Sequence, residues 1–300
     1  TPAAAPPPGH VVWRGTPVEL GEGLAAAATL VSYDDANRLL LVAAGGSLHA
    51  HPVAGDPGAP ARTVPLRQGA GPLSAARFSP GGGVLAVQRG GEGESTVSLV
   101  DPASGAESEV RHRRPGARLL GFFFPTVAAD LVLVTSAGLE LFAVEGAAAR
   151  FVEERKRTGP AHWFAYTHET RLVLLASGPQ RNRLASFQFS PDGGLLKLPR
   201  VSLPLAAPPP GGGADRPVLG PRDVQLVALY GRLYLAHVDR RAGEVALHRF
   251  YRDALVKQHA VPLPAHAPAG RLALSAVDNV LLLTATDTTE TALVDVLDGG

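Results

Sequence analysis

The chain contains no cysteine among its 300 residues, and it contains no methionine either. Without cysteine there can be no disulfide bond, no thiolate zinc site and no cysteine nucleophile. No Asn-x-Ser/Thr glycosylation acceptor occurs, so these absences favour a cytoplasmic location. Because methionine is missing even at position 1, we expect this chain to be part of a longer protein.

Long apolar runs and a strong charge of either sign are also missing. No apolar run approaches the ~18 to 20 residues of a membrane-spanning helix, and residues 1–8 lack the charged and apolar regions of a signal peptide. The formal net charge is +1, so no global field attracts nucleic acid or an acidic membrane. We therefore expect no nucleic-acid partner.

The common catalytic motifs are absent as well. The chain has no G-x-S-x-G, no G-x-x-x-x-G-K-[ST] and no H-E-x-x-H pattern, which are typical of acyl transfer, phosphate binding and zinc hydrolysis respectively. The sequence therefore predicts no catalytic residue, no cofactor and no small-molecule substrate.

A short apolar run recurs along the chain, and it is the main structural signal. Successive runs begin 41 to 61 residues apart, at Leu39, Val84, Leu131, Leu172, Leu233 and Leu281. Most have another strand-like stretch before and after them, so that each unit holds about four strands. This period is typical of a β-propeller, whose blades surround a central channel. We predict an all-β, WD-like β-propeller with six blade-sized units in this chain.

Residues 119–144 show the pattern most clearly, as three apolar runs separated by turns. The middle run, 131–134, is apolar at every position, which a pleated strand tolerates only if both of its faces are covered. The last run alternates, as expected of a strand nearer the rim. We therefore predict that Leu133 is fully buried at the centre of its blade.

The remaining segments set the domain organisation. Residues 1–10 are rich in Pro and Ala and are predicted to be a disordered tail, and residues 11–300 form one propeller domain. Residues 11–20 are interpreted as an isolated strand that closes the ring by completing the last blade. The alternative is that the ring is left open for a missing blade. Residues 206–217 are predicted to be an insertion loop, because their Pro and Gly content precludes a strand or helix.

Two pairs of polar residues were weighed as candidate sites. His49 and His51 lie two apart on one strand and could share a metal, but a third ligand has to come from elsewhere, and a solvated strand face is the alternative. Asp34 and Asp35 form a carboxylate pair in a turn. Such neighbours usually bond to local backbone, because acid and base partners need pKa values pushed apart by burial. We therefore predict no metal site and no catalytic pair.

Two basic clusters, residues 111–114 and 155–157, are each predicted to lie in a loop at a blade edge. Charge at a sheet edge discourages pairing with other sheets. The functional alternative is a patch for anionic lipid headgroups, which requires both clusters on one surface. Propellers that bind phosphoinositides carry an F-R-R-G motif, and residues 87–90, V-Q-R-G, lack its first arginine.

A set of short stretches resembles a known family. They keep their order from about residue 28 to residue 297: L-A-V-Q-R at 85–89, L-L-G-F at 119–122 with S-A-G-L-E-L-F at 136–142, W-F-A-Y at 163–166, L-L-K-L-P at 195–199, R-D-V with A-L-Y-G-R-L-Y between 222 and 234, and V-D-N with D-T-T-E-T between 277 and 291. Together they resemble the amino-terminal region of the Bulli family, the regulator subunit of the Mon–Ccz guanine-nucleotide exchange complex.

The resemblance implies a non-enzymatic scaffold whose partners are Mon and Ccz family proteins and whose complex activates a late-endosomal Rab GTPase in endosome–lysosome maturation and autophagy. It also implies peripheral association with late endosome and lysosome membranes through the complex. In the family a helical solenoid follows the propeller, and the propeller continues past the point matching Gly300, which leaves room for a seventh blade. The alternatives are a phosphoinositide-binding propeller and a propeller enzyme with a site in the central channel.

Overall fold

A computed structural model describes residues 20, 22–53, 62–69, 71–90, 95–125, 130–155, 160–205, 217–263, 272–286 and 290–297. Their regular structure consists of strands β1 to β24, one short helix, α1 (Glu22–Ala27), and a 3₁₀ turn at Pro221–Asp223. The predicted all-β class is confirmed. No helix in these ranges is long and apolar enough to cross a membrane.

The strands form six antiparallel sheets, which we call blades one to six. Blade one contains β1 (Ala28–Asp34), β2 (Leu39–Ala44), β3 (Ser47–Pro52) and β4 (Arg62–Pro65). Blade two contains β5 (Leu73–Phe78), β6 (Leu85–Arg89), β7 (Thr96–Val100) and β8 (Glu107–Val110). Blade three contains β9 (Leu119–Phe123), β10 (Leu131–Thr135), β11 (Gly138–Glu145) and β12 (Ala148–Arg155).

The second half of the chain repeats this plan with variations at the outer strands. Blade four contains β13 (Ala161–Thr167), β14 (Leu172–Ser177) and β15 (Arg183–Phe189), with β16 (Leu195–Lys197) and β17 (Val201–Ser202) both paired to β15. Blade five contains β18 (Val224–Leu229), β19 (Arg232–Asp239), β20 (Glu244–Phe250) and β21 (Leu255–Pro262). Blade six contains β22 (Leu272–Val277), β23 (Val280–Ala285) and β24 (Glu290–Asp295).

The blades follow one another around a centre formed by their first strands. β1 contacts β5, β9 contacts β13, and β18 contacts both β13 and β22. Clusters of buried apolar side chains fill the space between each blade and the next, from blades one and two to blades five and six. This arrangement confirms the six-bladed propeller and explains why the second strand of most blades is apolar on both faces.

Strand β10 shows how one strand serves two cores. Leu131 and Leu133 pack toward blade two, whereas Val132 and Val134 pack toward blade four. All five residues of the strand are buried, and Leu133 is 0% exposed. Because β10 pairs with β9 on one side and β11 on the other, it lies inside its sheet. The predicted central position of Leu133 is confirmed.

Close packing between blades three and four depends on a glycine. A Cβ atom added at Gly121 in β9 would lie 2.5 Å from Cε1 and 2.7 Å from Cζ of Phe164 in β13. Real side chains do not approach so closely, so the absence of a Cβ lets the aromatic ring lie directly against the neighbouring backbone.

The fourth strands were the least predictable part of the fold. In blade one, β4 lies 23 residues or more after the apolar run that begins at Leu39, beyond the strand-like stretches recognised in the sequence. In blade three, the prediction that the basic cluster at 155–157 lies in a loop is wrong for Arg155, because this residue ends β12, which pairs with β11 from Glu145↔Ala148 to Leu139↔Arg155. An outermost strand is open to solvent on its free edge, so it can carry charges and need not show an apolar run.

Two sequence predictions fall on parts of the chain outside the described residues. They are the disordered tail at 1–10 with the closing strand at 11–20, of which only Leu20 is described, and the insertion loop at 206–217, of which only Pro217 is described. Both stay predictions.

Blades one and six each have one face that is turned away from its neighbouring blade. On blade one, Val31 is 57% and Tyr33 52% exposed, while on blade six Val277 is 50% and Leu293 52% exposed. On the opposite faces, Leu30 packs against the buried cluster between blades one and two, and Leu274 packs against the one between blades five and six. The outer faces of the first and last blades are therefore less covered than the five junctions between consecutive blades.

Candidate functional site

Strand β1 ends at Asp34, and Asp35 follows it in the turn. Asp34 is 0% exposed, and its Oδ2 accepts hydrogen bonds from the backbone N–H of Phe78, at 2.9 Å, and from Nδ2 of Asn37, at 3.0 Å. Burial raises the pKa of Asp34, against the opposing effect of these two donors. Asn37 also donates to the carbonyl groups of Phe78 and Ser79. The turn of blade one is thus fastened to the first hairpin of blade two.

Asp35 reaches both blade two and blade four. Its Oδ1 lies 2.7 Å from Nη1 of Arg77, and its Oδ2 accepts a hydrogen bond from the backbone N–H of His168 at 2.9 Å. Asp34 thus bonds to Asn37 in its own turn and to blade two, and Asp35 bonds to blades two and four. The sequence predicted bonds to local backbone alone. Because both oxygens of Asp35 are engaged, this pair does not present an acid and a base to a shared space.

Blade four joins the same network through an aromatic side chain. The hydroxyl of Tyr166 donates to the carbonyl of Phe124, at 3.2 Å, and lies 3.1 Å from Nδ1 of His168. Burial, followed by the negative charge of Asp35, raises the pKa of Tyr166. The phenol consequently stays neutral and stabilises the contact between blades three and four.

His49 and His51 lie on one face of β3, as predicted. Nδ1 of His49 is 3.2 Å from the hydroxyl oxygen of Thr63, and burial together with the charge of His49 lowers the pKa of His51. In the ranges that the structure describes, no group of three or more His, Cys, Asp or Glu side chains could hold a metal ion.

The basic cluster at 111–114 begins the loop of residues 111–118, which joins β8 of blade two to β9 of blade three. The backbone N–H of Arg113 donates to Oε2 of Glu140 at 2.7 Å, and the carboxylate of Glu140 is buried, with its residue 1% exposed. The guanidinium of Arg113 lies 5.7 Å from the ring centroid of Phe151 in β12. The predicted loop is confirmed, and we call it the arginine loop.

The second basic cluster cannot be placed next to the arginine loop. The backbone of Arg155 ends β12, and residues 156 and 157 lie outside the described ranges. The idea that both clusters form one patch therefore stays a prediction.

Sequence reasoning missed several buried polar groups. Arg89 and Glu107 form an ion pair inside blade two at 3.1 Å, with side chains 7% and 9% exposed. His237 and His248 are buried in blade five, and burial lowers the pKa of both, that of His248 to about 4. The apolar run that begins at Leu233 was a signal of burial next to His237, but it did not reveal the partners of these polar side chains.

Two clefts between neighbouring blades have the size of ligand pockets. One, of about 740 Å³, lies between blades one and two and includes Arg89. The other, of about 630 Å³, lies between blades five and six and includes Arg222 and Arg240. Glu107 pairs with Arg89 and Asp223 pairs with Arg240. One arginine at each cleft is therefore neutralised by a neighbouring carboxylate.

The fold places the chain in a large class, the β-propellers. The crystal structure of the Cps50 (Swd1) β-propeller domain of Myceliophteria thermophila superposes with a TM-score of 0.55, covering 90% of this chain and 84% of that domain, at 14% sequence identity. A likeness at this identity establishes the architecture alone.

Sequence similarity is more specific than the fold. Residues 31–149 match the family model described as "Regulator of MON1-CCZ1 complex, N-terminal". The proteins named Regulator of MON1-CCZ1 complex from Homo sapiens and Mus musculus are each 27% identical to this chain over 234 residues, which is 75% of the chain. These matches confirm the resemblance to the family of Mon–Ccz regulators. The aligned part makes up 34% of each relative, so the chain spans about a third of their length.

Proposed function

We propose that this chain is the propeller region of a non-catalytic regulatory subunit of a Mon–Ccz type guanine-nucleotide exchange complex. The observation that carries the proposal is the 27% identity over 234 residues to two proteins named Regulator of MON1-CCZ1 complex. The similarity extends over 75% of the chain and is therefore much wider than one repeat motif. In this role the complex activates a late-endosomal Rab GTPase and serves endosome–lysosome maturation and autophagy.

The chemistry of the described polar groups supports a binding role over a catalytic one. The carboxylate of Asp35 is held by Arg77 and by the backbone of His168, and the phenol of Tyr166 is held by the carbonyl of Phe124. A catalytic pair needs a free base within hydrogen-bond reach of a nucleophile or substrate. These groups instead join blades to one another, which suits a rigid platform for protein partners.

In this proposal the protein is cytoplasmic and associates peripherally with late endosomes and lysosomes through its Mon and Ccz partners. The small net charge supports contacts made by shape and local patches, without long-range steering of the partners. The propeller offers its two rims and its outer strands for such contacts.

Affinity purification from native cells tests the proposal. The protein at its natural length is tagged and purified, and the bound proteins are identified by mass spectrometry. We expect homologues of Mon and Ccz in comparable amounts, and we expect them to be absent from a purification of an unrelated propeller with the same tag. Recovery of neither homologue, with the tagged protein soluble and folded, contradicts the proposal.

A nucleotide-exchange assay tests the non-catalytic part. The release of labelled GDP from the Rab GTPase is followed with the Mon–Ccz pair, with this protein alone, and with all three together. We expect release with the pair and none above the intrinsic rate with this protein alone. Exchange catalysed by this protein alone contradicts the regulatory assignment.

A further inference from the structure

Positive charge is concentrated in one loop of a nearly neutral protein. The formal net charge of the whole chain is +1, yet the arginine loop, residues 111–118, contains four arginines and no acidic residue. Glu109 pairs with Arg111 at 2.9 Å and Glu140 accepts from the backbone N–H of Arg113, so four positive charges lie beside these two carboxylates. Residues 113–116, at the middle of the loop, are all exposed. The loop is therefore a local cationic surface.

The loop is held in one conformation by its own backbone contacts. Its start is fixed by the bond from the N–H of Arg113 to the buried carboxylate of Glu140. Its end is fixed by two bonds to Ser136, whose Oγ accepts from the N–H of Arg118 at 2.9 Å and whose N–H donates to the carbonyl of Arg118 at 2.7 Å. Gly116, at a φ of +73°, forms the turn between them. An ordered loop loses little conformational freedom when it binds.

The side chains of the loop indicate the chemistry of its ligand. Guanidinium groups form paired hydrogen bonds with phosphate oxygens, and they remain charged at every physiological pH. The exposed tip also contains Pro115 and Gly116 and no large apolar side chain that could enter a hydrocarbon layer. A convex cationic loop without an apolar wedge fits a planar layer of phosphate headgroups, whereas an acidic peptide would be better held in a groove.

We propose that the arginine loop binds the anionic phospholipid headgroups of a membrane surface directly. This inference goes beyond the proposed function, in which the protein reaches membranes through its partners. It involves the arginine loop alone, whereas the lipid patch considered from the sequence needed both basic clusters on one surface. Because the contact is electrostatic and lies at the level of the headgroups, it weakens steeply as salt screens the charges. The membrane contact then orients the rim that joins blades two and three toward the lipid.

Vesicle flotation with the purified chain, in the absence of any partner protein, tests the inference. Three vesicle compositions are compared: phosphatidylcholine alone, phosphatidylcholine with about 20 mol% phosphatidylserine, and phosphatidylcholine with a few mol% of a phosphoinositide. Each basic residue near an anionic surface contributes on the order of 1 kcal/mol, or about fivefold, to binding, so the anionic vesicles should bind measurably more protein. We expect flotation with both anionic compositions and none with phosphatidylcholine alone. Binding should be lost at about 0.5 M salt, where the Debye length falls to a few ångströms.

Charge-reversal variants locate the contact. The double substitution Arg113→Glu with Arg114→Glu should reduce the bound fraction at least about tenfold, because it reverses two of the charges that face the lipid. The control, Arg232→Glu with Arg252→Glu, makes the same change of net charge at two exposed arginines of blade five. We expect the control to bind within about twofold of the original chain. Equal losses in both variants would overturn the assignment to this loop.

Conservative variants and soluble competitors separate the remaining possibilities. Arg113→Lys with Arg114→Lys keeps the charge, and it should retain most of the binding to phosphatidylserine vesicles. Thermal unfolding of every variant shows whether it is folded. If the variant with Arg113→Glu and Arg114→Glu does not fold, the variant with Arg113→Gln and Arg114→Gln is used in its place. Displacement by inorganic phosphate at millimolar concentration would indicate a free-phosphate site and overturn the membrane assignment. Binding to polyglutamate without binding to vesicles would also overturn it. Because no partner is present, failure here leaves the proposed function untouched.

Discussion

Replacing Leu133 by alanine tests whether β10 is buried against blade two. The side chain is 0% exposed and belongs to the apolar cluster between blades two and three. The substitution removes three buried carbon atoms and leaves a cavity that neighbouring strands cannot close, because β10 is fixed by pairing on both edges. We expect the free energy of unfolding to fall by about 2 to 5 kcal/mol.

The matched control is the same substitution at Leu293 in β24. This side chain is 52% exposed, so it loses much less transfer free energy on truncation and leaves no closed cavity. We expect a loss of under ~1 kcal/mol for Leu293→Ala. The comparison keeps the chemical change identical and varies only the burial.

Urea titration at equilibrium measures both variants. A lower midpoint with an unchanged m-value reports a change in stability, because the slope depends on the surface exposed on unfolding. A loss under ~1 kcal/mol for Leu133→Ala, or equal losses for the two leucines, would refute the burial of Leu133 between blades two and three.

Two further predictions follow from the packing and from the buried histidines. Gly121→Ala should lower the free energy of unfolding by about 1 to 3 kcal/mol, because the new Cβ overlaps the ring of Phe164. This loss should be smaller in a protein in which Phe164 is replaced by leucine. Equal losses with phenylalanine and with leucine at position 164 would show that the ring is not the cause. His248 has its pKa lowered to about 4 in the folded protein, whereas an unfolded histidine titrates near 6.5. The unfolded state therefore takes up the proton first, so stability contributed by neutral His248 is present above about pH 6.5 and is lost as the pH falls toward 4. Urea titrations at several pH values should show a smaller acid loss for His248→Gln, and identical pH profiles would contradict the assigned cause.

The strands of each blade core could be predicted from the sequence because their burial leaves a local pattern. Residues 131–134 are apolar at every position, and the position of Leu133 follows from that alone. Local pattern and local structure agree wherever a strand lies between two others.

The polar network could not be predicted, because its partners are far apart in the chain. Asp35 bonds to His168, which is 133 residues away, and the distance between them is set by the geometry of the whole ring. The outer strand β12 was missed for the opposite reason, since an edge strand can carry charges and leaves no apolar run. The burial of Glu140 shows the same limit, because its Oε2 accepts a hydrogen bond from the backbone of a loop that begins in another blade.

The most direct test of the account measures binding of the protein, at its natural length, to a purified Mon–Ccz heterodimer. The control is a β-propeller that shares the architecture without the sequence similarity, such as the Cps50 domain, which is 14% identical to this chain. We predict a dissociation constant of about 1 μM or tighter for this protein, which corresponds to about −8 kcal/mol, and no measurable binding for the control. Binding no tighter than that of the control propeller would contradict the proposed role as a regulatory subunit.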